Sequence, residues 1–407
     1  MKEFLLIGEK LGHSYSQEIH KKNGLNYSLV ETAPDSLEKT VKGIKWGANV
    51  TIPYKKEVIN YLDYQDRISY DVGSVNTISL EGDRLVGFNT DVFGLKFALK
   101  LAKITVYRRN VLILGSGGTS LSAKYVCKKL GAKSITVVSR TGKINYQNCY
   151  EKKETEVIIN TTPVGMYPNC EGEIIDLSRF EKLEGVFDCV YNPIRTNLIL
   201  SAQKLGIKCA NGLSMLVAQA LKSEEIWLGE EFCEQEYIRQ IKEFEKEKTN
   251  IILVGMPSSG KSVIANVLGQ KTGRVVYDTD EEIFRRTGKT AEEIILSEGE
   301  GRFREIESKI VSFVMEKRGA IIATGGGCVL LEKNRKEMKR NGNVYYISRA
   351  LEKLTDEGRP LSKNGAISRL FKEREPLYNE ICDKKIENDG DVLQAVEEIL
   401  KNENLSY

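Results

Sequence analysis

Three short apolar runs mark the chain, and each leads through a polar turn into a segment with helical character. The runs occupy residues 4–7, 111–114 and 251–254. A continuous apolar run of this length indicates a strand buried on both faces of a parallel sheet. Strands that alternate with helices in this way predict an α/β fold built from strand–turn–helix units.

Residues 74–91 show a different pattern, that of a hairpin. Two short strand-like segments flank a turn at residues 81–83 that contains glycine, which is typical of a β-hairpin. The hairpin would bring Asn76 on its first strand and Asp91 beyond its second strand to the same end of the sheet.

The segment before the hairpin is predicted to be helical. Pro53 follows a predicted strand end at residues 49–51, and proline is favoured at the first position of a helix. Apolar residues at positions 58, 59 and 62 would form the buried face of this helix. Lys55 would then lie in the first helical turn, where the helix dipole disfavours a cation. Such a placement hints at a functional lysine.

Composition indicates a cytosolic globular chain. The 407 residues are 41% hydrophobic, enough for two or three domains. A net charge of +3 favours neither nucleic acid nor an anionic membrane. Eight cysteines without a C-x-x-C pair and two histidines indicate free thiols in a reducing compartment rather than a zinc site. Since no signal peptide or membrane-spanning run is present, we expect a cytoplasmic protein.

Residues 255–262 carry the Walker A pattern G-x-x-x-x-G-K-S. They lie between an apolar run and an apolar stripe at helical spacing, formed by Val263, Ile264, Val267 and Leu268. In this context the backbone N–H groups of the loop converge on phosphate oxygens at a helix N-terminus. Lys261 would reach the β- and γ-phosphates of ATP, and the Ser262 hydroxyl would bind Mg²⁺.

A second glycine-rich turn, at residues 115–118, lies between a strand and a helix as in dinucleotide-binding domains. Ser120 stands at the third glycine position of G-x-G-x-x-G. The next predicted strand ends in Ser139, Arg140 and Thr141. A domain for NAD would place an acidic residue there, whereas a guanidinium suits the 2′-phosphate of NADP. NADP is therefore the expected cofactor.

The motifs of residues 4–240 resemble those of shikimate dehydrogenases. In chain order they are the S-x-S of Ser14 and Ser16, N-V-T-x-P-x-K at 49–55, V-N-T around Asn76, G-x-N-T-D-x-x-G at 87–94, G-x-G-G at 115–118, N-x-T-P-x-G-M at 160–166, D-x-V-Y-x-P at 188–193 and N-G-L-S-M at 211–215. Gln17 departs from the family, which usually has proline after the second serine.

This resemblance implies a substrate-binding α/β domain, a Rossmann NADP domain and a set of site residues. Lys55 and Asp91 would be catalytic. The residues that would bind the substrate are Ser14, Ser16, Thr51, Asn76, Tyr191 and Gln219. The residues that would bind NADP are Gly115, Ser116, Gly117, Gly118, Thr119, Ser139, Arg140, Thr141, Thr161, Cys189, Gly212 and Met215.

Residues 249–402 resemble shikimate kinases. Beyond the Walker A loop they carry D-x-D at 278–280, G-E-x-x-F-R-x-x-E at 299–307, G-G-G at 325–327 and R-x-P-L-Y at 374–378. The resemblance implies that Lys261 is catalytic and that Ser262 and Asp278 hold Mg²⁺. The residues that would bind ATP are Ser258, Ser259, Gly260, Lys261, Ser262, Val263 and Arg359, the last on a short lid. The residues that would bind shikimate are Asp280, Arg304, Gly326 and Arg374, and planar guanidinium groups suit its carboxylate.

Four segments make up the predicted domain organisation. The substrate-binding domain would span residues 1–103 with return helices over 211–246, the Rossmann domain 104–210, and a P-loop kinase domain with a parallel sheet 248–407. The charged run at 244–249 predicts a helix end that grades into a short linker.

The two resemblances together imply a bifunctional enzyme of aromatic amino acid biosynthesis. It would reduce 3-dehydroshikimate to shikimate with NADPH and then phosphorylate shikimate to shikimate 3-phosphate with ATP. One alternative is a first half that prefers quinate or uses NAD. Another is a non-catalytic regulator that senses shikimate-like metabolites with both folds, but the chain keeps Lys55, Asp91, Lys261, Ser262 and Asp280. The expected partners are small molecules, and both a monomer and a homodimer fit the sequence.

Overall fold

The computed structural model describes residues 2–12, 14–354 and 366–405, with only the backbone at residue 366. Its internal contacts divide the chain into two compact units, Met1–Phe244 and Glu245–Tyr407. The first unit contains two sheets, and the second unit contains one.

A mixed sheet forms the first part of the first unit. Its strands are β1 (Glu3–Gly8), β2 (Asn26–Glu31), β3 (Gly47–Val50), β4 (Tyr64–Gln65), β5 (Thr77–Glu81) and β6 (Arg84–Phe88). Its helices are α1 (Ser16–Lys22), α2 (Leu37–Lys42), α3 (Arg67–Val72) and α4 (Asp91–Leu101). The strand order is β2-β1-β3-β5-β6-β4. The predicted hairpin is confirmed, since β5 and β6 pair antiparallel with Thr77 opposite Phe88.

The second sheet of this unit is entirely parallel. Its elements are β7 (Asn110–Leu114), α5 (Gly118–Lys129), β8 (Ser134–Val138), β9 (Val157–Asn160), β10 (Gly185–Asp188), α6 (Asn197–Lys204) and β11 (Lys208–Asn211), and the return helices are α7 (Leu213–Leu228) and α8 (Glu234–Lys248). The order β11-β10-β9-β7-β8 reverses direction at β7. In open parallel sheets a ligand binds at the carboxyl ends of the strands next to such a reversal.

The second unit has a parallel five-stranded sheet in the order β13-β14-β12-β15-β16, with these elements in chain order: β12 (Asn250–Val254), α9 (Lys261–Thr272), β13 (Val276–Asp278), α10 (Thr279–Thr287), α11 (Ala291–Glu298), α12 (Glu300–Met315), β14 (Ile321–Ala323), α13 (Glu332–Asn341), β15 (Gly342–Ser348), α14 (Ala366–Ile381), β16 (Lys384–Glu387) and α15 (Val392–Asn402). Every residue of the central β12 is buried, as a continuous apolar run predicts.

The helix predicted at Pro53 is wrong. Residues 52–56 form turns, and a 3₁₀ helix follows over Glu57–Tyr61. An α-helix would bond the Lys55 carbonyl to the N–H four residues later, but this carbonyl accepts instead from the backbone N–H of Val75 at 2.7 Å. Lys55 therefore lies in a turn tied to the start of the hairpin.

The helix end predicted in the charged run is confirmed, and the linker that follows it is a single residue. Helix α8 continues to Lys248, and only Thr249 separates it from β12. Carbonyls at a helix end lack partners within the helix, and here Arg274 donates to the carbonyls of Lys246 at 2.8 Å and Thr249 at 3.0 Å. The charged run is therefore the exposed face of a helix.

The eight cysteines are free thiols, as the composition predicts, and Cys233 is the exposed one. Across the described residues, no helix combines the length and apolarity that a membrane crossing needs.

Candidate active sites

A lysine–carboxylate pair lies at the end of the hairpin. Nζ of Lys55 donates to Oδ2 of Asp91 at 2.6 Å, and the two side chains are 14% and 6% exposed. Lys55 comes from the turn after β3, and Asp91 is the first residue of α4. The pair is accessible to a ligand yet partly shielded from water, which strengthens its electrostatic interaction.

Asn76 holds the other oxygen of Asp91. Its Nδ2 donates to Asp91 Oδ1 at 3.0 Å, to Thr90 Oγ1 at 2.9 Å and to Gln219 Oε1 at 3.2 Å. The structure thus joins the predicted residues Lys55, Asp91, Asn76 and Gln219 in one cluster, although they come from four separate segments.

The remaining substrate residues lie on neighbouring elements of the first unit. The backbone N–H of Ser16 donates to Ser14 Oγ at 3.2 Å. Tyr15, between these serines, packs its ring 5.3 Å from the ring of Tyr191, and burial raises the pKa of Tyr191. Thr51 follows β3, and its N–H donates to the Ile7 carbonyl at 2.9 Å.

The predicted NADP residues gather at the carboxyl ends of the parallel strands of the second sheet. Gly115 has φ +106°, and a Cβ there would lie 2.7 Å from Thr161 Oγ1. A Cβ at Gly212 would lie 2.1 Å from the carbonyl oxygen of Cys189. Glycine at these positions therefore permits a close approach that other residues would block. Ser116 and Gly117 complete the turn from β7 into α5, Thr119 lies in the first turn of α5, and Met215 is buried in the first turn of α7.

The NADP turn abuts the lysine–carboxylate pair. A Cβ added to Gly118 would lie 3.3 Å from Lys55 Cβ. On the neighbouring edge strand β8, which pairs with β7, the strand end is followed by Arg140, which lies between Ser139 and Thr141 and is exposed. An exposed guanidinium at this strand end can contact a nucleotide phosphate.

Asp188, a buried carboxylate that the sequence reasoning did not single out, organises the carboxyl ends of β9 and β10. Asp188 accepts from Thr196 Oγ1 at 2.6 Å, from Asn160 Nδ2 at 2.9 Å and from the Val190 N–H at 3.0 Å. Burial raises the pKa of Asp188 to about 6, against the opposing effect of these hydrogen bonds. Asn160 in turn accepts from the N–H and hydroxyl of Thr162, so the carboxylate fixes the loop after β9. The pairing of Asn160 with Asp188 follows from the adjacency of β9 and β10, which sequence spacing does not reveal.

The second unit builds a phosphate and metal site at the end of β12. Ser262 Oγ donates to Asp278 Oδ2 at 2.6 Å. Lys261 Nζ lies against its own loop and donates to the carbonyls of Gly255 at 3.0 Å and Met256 at 2.8 Å. Gly260 has φ +94° and directly precedes α9, so the loop curls as a Walker A loop must.

The other predicted ATP residues differ in their burial and in their place relative to the loop. Ser258 has φ +64° within the loop, and Ser259 is buried. Val263 does not belong to the buried stripe of α9. It is 54% exposed, because Ile264, Ala265 and Leu268 form the buried face. Arg359 and the start of its lid lie outside the described residues.

The predicted shikimate residues line one cavity of about 490 Å³ together with Lys261, Ser262 and Asp278. These residues are Asp280, Arg304, Gly326 and Arg374. Arg304 donates to Glu307 Oε2 at 2.7 Å. Arg374 is 4% exposed, and among the described residues its Nε has no hydrogen-bond partner. A buried guanidinium with an unused donor suits an anionic ligand.

Glu307, Thr279 and Tyr378 support this cavity and were not predicted as functional. Glu307 orients Arg304, Thr279 Oγ1 accepts from the Gly325 N–H at 2.7 Å, and the Tyr378 hydroxyl donates to the Gly326 carbonyl at 2.5 Å. The G-E-x-x-F-R-x-x-E and R-x-P-L-Y patterns contain Glu307 and Tyr378, so the motif itself was the available signal.

The donor set at Ser262 and Asp278 fits Mg²⁺. This ion usually binds proteins through one or two oxygen ligands, with phosphates and water completing its shell. Among the described residues, no group of three or more His, Cys, Asp or Glu side chains could form a metal cage by itself. Ser262 and Asp278 would hold the ion only together with a bound nucleotide.

Comparison with known proteins matches both units. The model of the shikimate dehydrogenase substrate binding domain matches residues 6–78, and the shikimate kinase model matches residues 257–403. A shikimate dehydrogenase (NADP(+)) from Clostridium perfringens strain SM101 is 38% identical over 253 residues, which cover 56% of this chain and 93% of that protein. The chain belongs to the shikimate dehydrogenase family. It also carries a shikimate kinase domain, and it is a bifunctional oxidoreductase and kinase.

Solved structures of other family members resemble the first unit. A chorismate mutase/shikimate 5-dehydrogenase fusion protein from Clostridium acetobutylicum has a TM-score of 0.57 and 36% identity, covering 60% of this chain and 98% of that chain. The shikimate 5-dehydrogenase from Thermus thermophilus, solved with NADP(H) and shikimate, has a TM-score of 0.53 and 26% identity, with 60% and 99% covered. NADP, ATP and Mg²⁺ are the cofactors that these two families imply for this chain.

Proposed function

We propose that the chain reduces 3-dehydroshikimate to shikimate with NADPH and then phosphorylates shikimate to shikimate 3-phosphate with ATP. For the first reaction, the proposal is carried by the Lys55–Asp91 contact beside the NADP turn at Gly118. For the second, it is carried by one cavity that joins the Walker A residues to two arginines.

In the first site, the glycine turn at residues 115–118 would hold NADPH, which would supply a hydride for the carbonyl carbon of the substrate. Lys55 donates a proton from Nζ to the oxygen, which becomes an alkoxide as the hydride arrives. Asp91 Oδ2 orients that ammonium, and Asn76 holds Asp91 through Oδ1. Ser14, Ser16, Thr51, Tyr191 and Gln219 orient the carboxylate and hydroxyl groups of the substrate.

In the second site, catalysis consists mainly of positioning and charge neutralisation. Bound Mg²⁺ would neutralise phosphate charge, held by Ser262 and Asp278. Lys261 exchanges its loop carbonyls for phosphate oxygens when nucleotide enters. Asp280 accepts a hydrogen bond from the attacking hydroxyl group, and Arg304 and Arg374 bind the shikimate carboxylate.

A sequential assay tests the whole proposal. The protein is incubated with 3-dehydroshikimate and NADPH, then ATP and Mg²⁺ are added, and products are identified by mass spectrometry. We expect shikimate after the first addition and shikimate 3-phosphate after the second. Parallel reactions with quinate, and with NAD in place of NADP, test the alternative dehydrogenase. The absence of turnover in every reaction would contradict the proposal and favour a metabolite-sensing regulator.

A further inference from the structure

A fully buried histidine–glutamate pair lies behind the dehydrogenase site. Nδ1 of His20 is 2.7 Å from Oε1 of Glu224, and the side chains are 0% and 1% exposed. Glu224 also accepts from Asn23 Nδ2 at 2.9 Å. Burying such a pair costs desolvation free energy that its attraction barely offsets, so stability alone explains it poorly.

The pair contacts Asn49, whose orientation is fixed by its neighbours. Asn49 Nδ2 lies 3.2 Å from the Asn76 carbonyl, which can only accept a hydrogen bond. The amide oxygen of Asn49 must therefore face the other way, where the Tyr27 hydroxyl at 2.7 Å and His20 Nε2 at 3.2 Å approach it.

This orientation determines what His20 does. Because an amide oxygen only accepts, Nε2 of His20 must carry a proton and donate to Asn49. The opposite ring nitrogen faces the Glu224 carboxyl, and a second proton lies between them. His20 thus lies between Glu224 and Asn49 and donates a hydrogen bond from Nε2 to Asn49.

From Asn49 the network continues to the catalytic cluster. Asn49 Nδ2 also donates to Thr77 Oγ1 at 3.1 Å and Ser223 Oγ at 3.0 Å. The Thr90 N–H donates to Asn76 Oδ1 at 2.7 Å, which turns Asn76 Nδ2 toward Asp91. In this hydrogen-bond network from His20 to Asp91, the side-chain amides of Asn49 and Asn76 each have one possible orientation.

We propose that His20 and Glu224 are positioning residues for hydride transfer, acting through Asn49 and Asn76 on the Asp91 carboxylate that holds Lys55. The inference rests on the proposed roles of Lys55 and Asp91. Residues that lock the rotamers of a catalytic group act by keeping it in its productive geometry. A misplacement of about 1 Å can cost about 100-fold in rate.

Two substitutions of His20 separate its two hydrogen bonds. In His20→Gln the side-chain amide reaches the place of Nε2 and can still donate to Asn49. In His20→Asn it reaches only the place of Nδ1 and loses that donor. We expect kcat for NADP-linked shikimate oxidation to fall about 10- to 100-fold in His20→Asn and to stay within about threefold of wild type in His20→Gln. The KM for NADP and the kinase rate of the same chain should not change.

Tyr27→Phe tests the link without altering the buried pair, because it removes only the second donor to Asn49 Oδ1. Tyr54→Phe is the matched control, since its buried hydroxyl donates to the Thr32 carbonyl outside the network. We expect kcat to fall at least threefold in Tyr27→Phe and not in Tyr54→Phe.

The outcomes are distinct. A wild-type chain without shikimate oxidation overturns the proposed function. With an active wild type, a folded His20→Asn variant of normal kcat, or equal losses in His20→Asn and His20→Gln, overturns the inference. If His20→Asn does not fold, a normal kcat in Tyr27→Phe overturns it and a reduced kcat supports it.

Discussion

The two carboxylate oxygens of Asp91 have different partners in the site around Lys55. One oxygen of Asp91 holds the lysine and the other is held by Asn76, so the carboxylate has little freedom to turn. The position of the Lys55 ammonium group is therefore fixed by Asp91 and, through Asp91, by Asn76. Removal of this group should affect chemistry more than folding, because Lys55 lies in a turn and its ammonium group binds the Asp91 carboxylate.

We expect Lys55→Ala to lower dehydrogenase kcat by about 10²- to 10⁴-fold, the usual effect of losing a positioned proton donor. The measurement is NADPH consumption with 3-dehydroshikimate, with kinase activity of the same chain as an internal reference. Lys56→Ala, at the exposed neighbouring lysine, should leave both activities unchanged. A loss below about tenfold in Lys55→Ala would assign the proton to another group.

Arg140 allows a second single-residue test, which concerns the choice between NADPH and NADH. Arg140→Asp should raise the KM for NADPH strongly and that for NADH little, because it replaces a phosphate partner with a repelling charge. Steady-state kinetics with both cofactors measures this change. Lys143→Asp introduces the same change of charge in the same loop and should preserve the preference for NADPH. An unaltered NADPH/NADH ratio in Arg140→Asp would mean that Arg140 does not contact the nucleotide.

Among the elements, Asp188 joins the ends of β9 and β10 to Thr196, the N-cap residue of α6. Its raised pKa means that the folded state holds the proton more tightly than the unfolded state. The resulting stabilisation is present below the ordinary pKa of 3.8 and is lost as pH rises through about 6. The difference corresponds to about 3 kcal/mol.

Asp188→Asn should therefore remove a fall in the free energy of unfolding between about pH 4 and pH 6. Denaturant titrations followed by tryptophan fluorescence report on the first unit, because Trp46 and Trp227 both lie in it. Asp176→Asn removes a carboxylate whose pKa is lowered by hydrogen bonds from Ser178, so its effect should have the opposite sign. Parallel curves for wild type and Asp188→Asn would contradict this account.

Sequence patterns predicted the helices and strands well where the residues that determine them are neighbours in the sequence. Glycine turns after apolar runs indicated β7, α5, β12 and α9, and the residues 81–83 indicated the hairpin. The helix at Pro53 failed because a distant N–H, that of Val75, takes the Lys55 carbonyl. The His20–Glu224 pair was missed because its partners are 204 positions apart and neither residue belongs to a spaced motif. Such pairs follow from topology, which the sequence pattern does not display.

For the whole molecule, each unit carries its own set of predicted site residues, and the boundary falls inside α8. We expect separate chains of residues 1–244 and 245–407 to fold and to keep most of their respective activities. Tethering would then act mainly through local concentration. Activity and circular dichroism of the two chains measure this, and a folded chain without activity would contradict it.

The position of the cut should matter. A kinase chain that starts at residue 250 lacks the carbonyls of Lys246 and Thr249, to which Arg274 donates, and the Lys248 carbonyl, which accepts from the Gly319 N–H. We expect it to unfold at a lower denaturant concentration than the chain of residues 245–407. Equal midpoints would show that these contacts contribute little.

The uneven exposure of the thiols has a practical consequence. Burial raises the pKa of Cys127, Cys149, Cys189, Cys209, Cys328 and Cys382, and thiolates are the form that maleimides attack. Cys233 is exposed, one residue before α8. A maleimide dye should therefore attach first at this position in the native chain and at all eight cysteines in denaturant. The unaltered sequence thus offers one preferred attachment point for a fluorescent reporter.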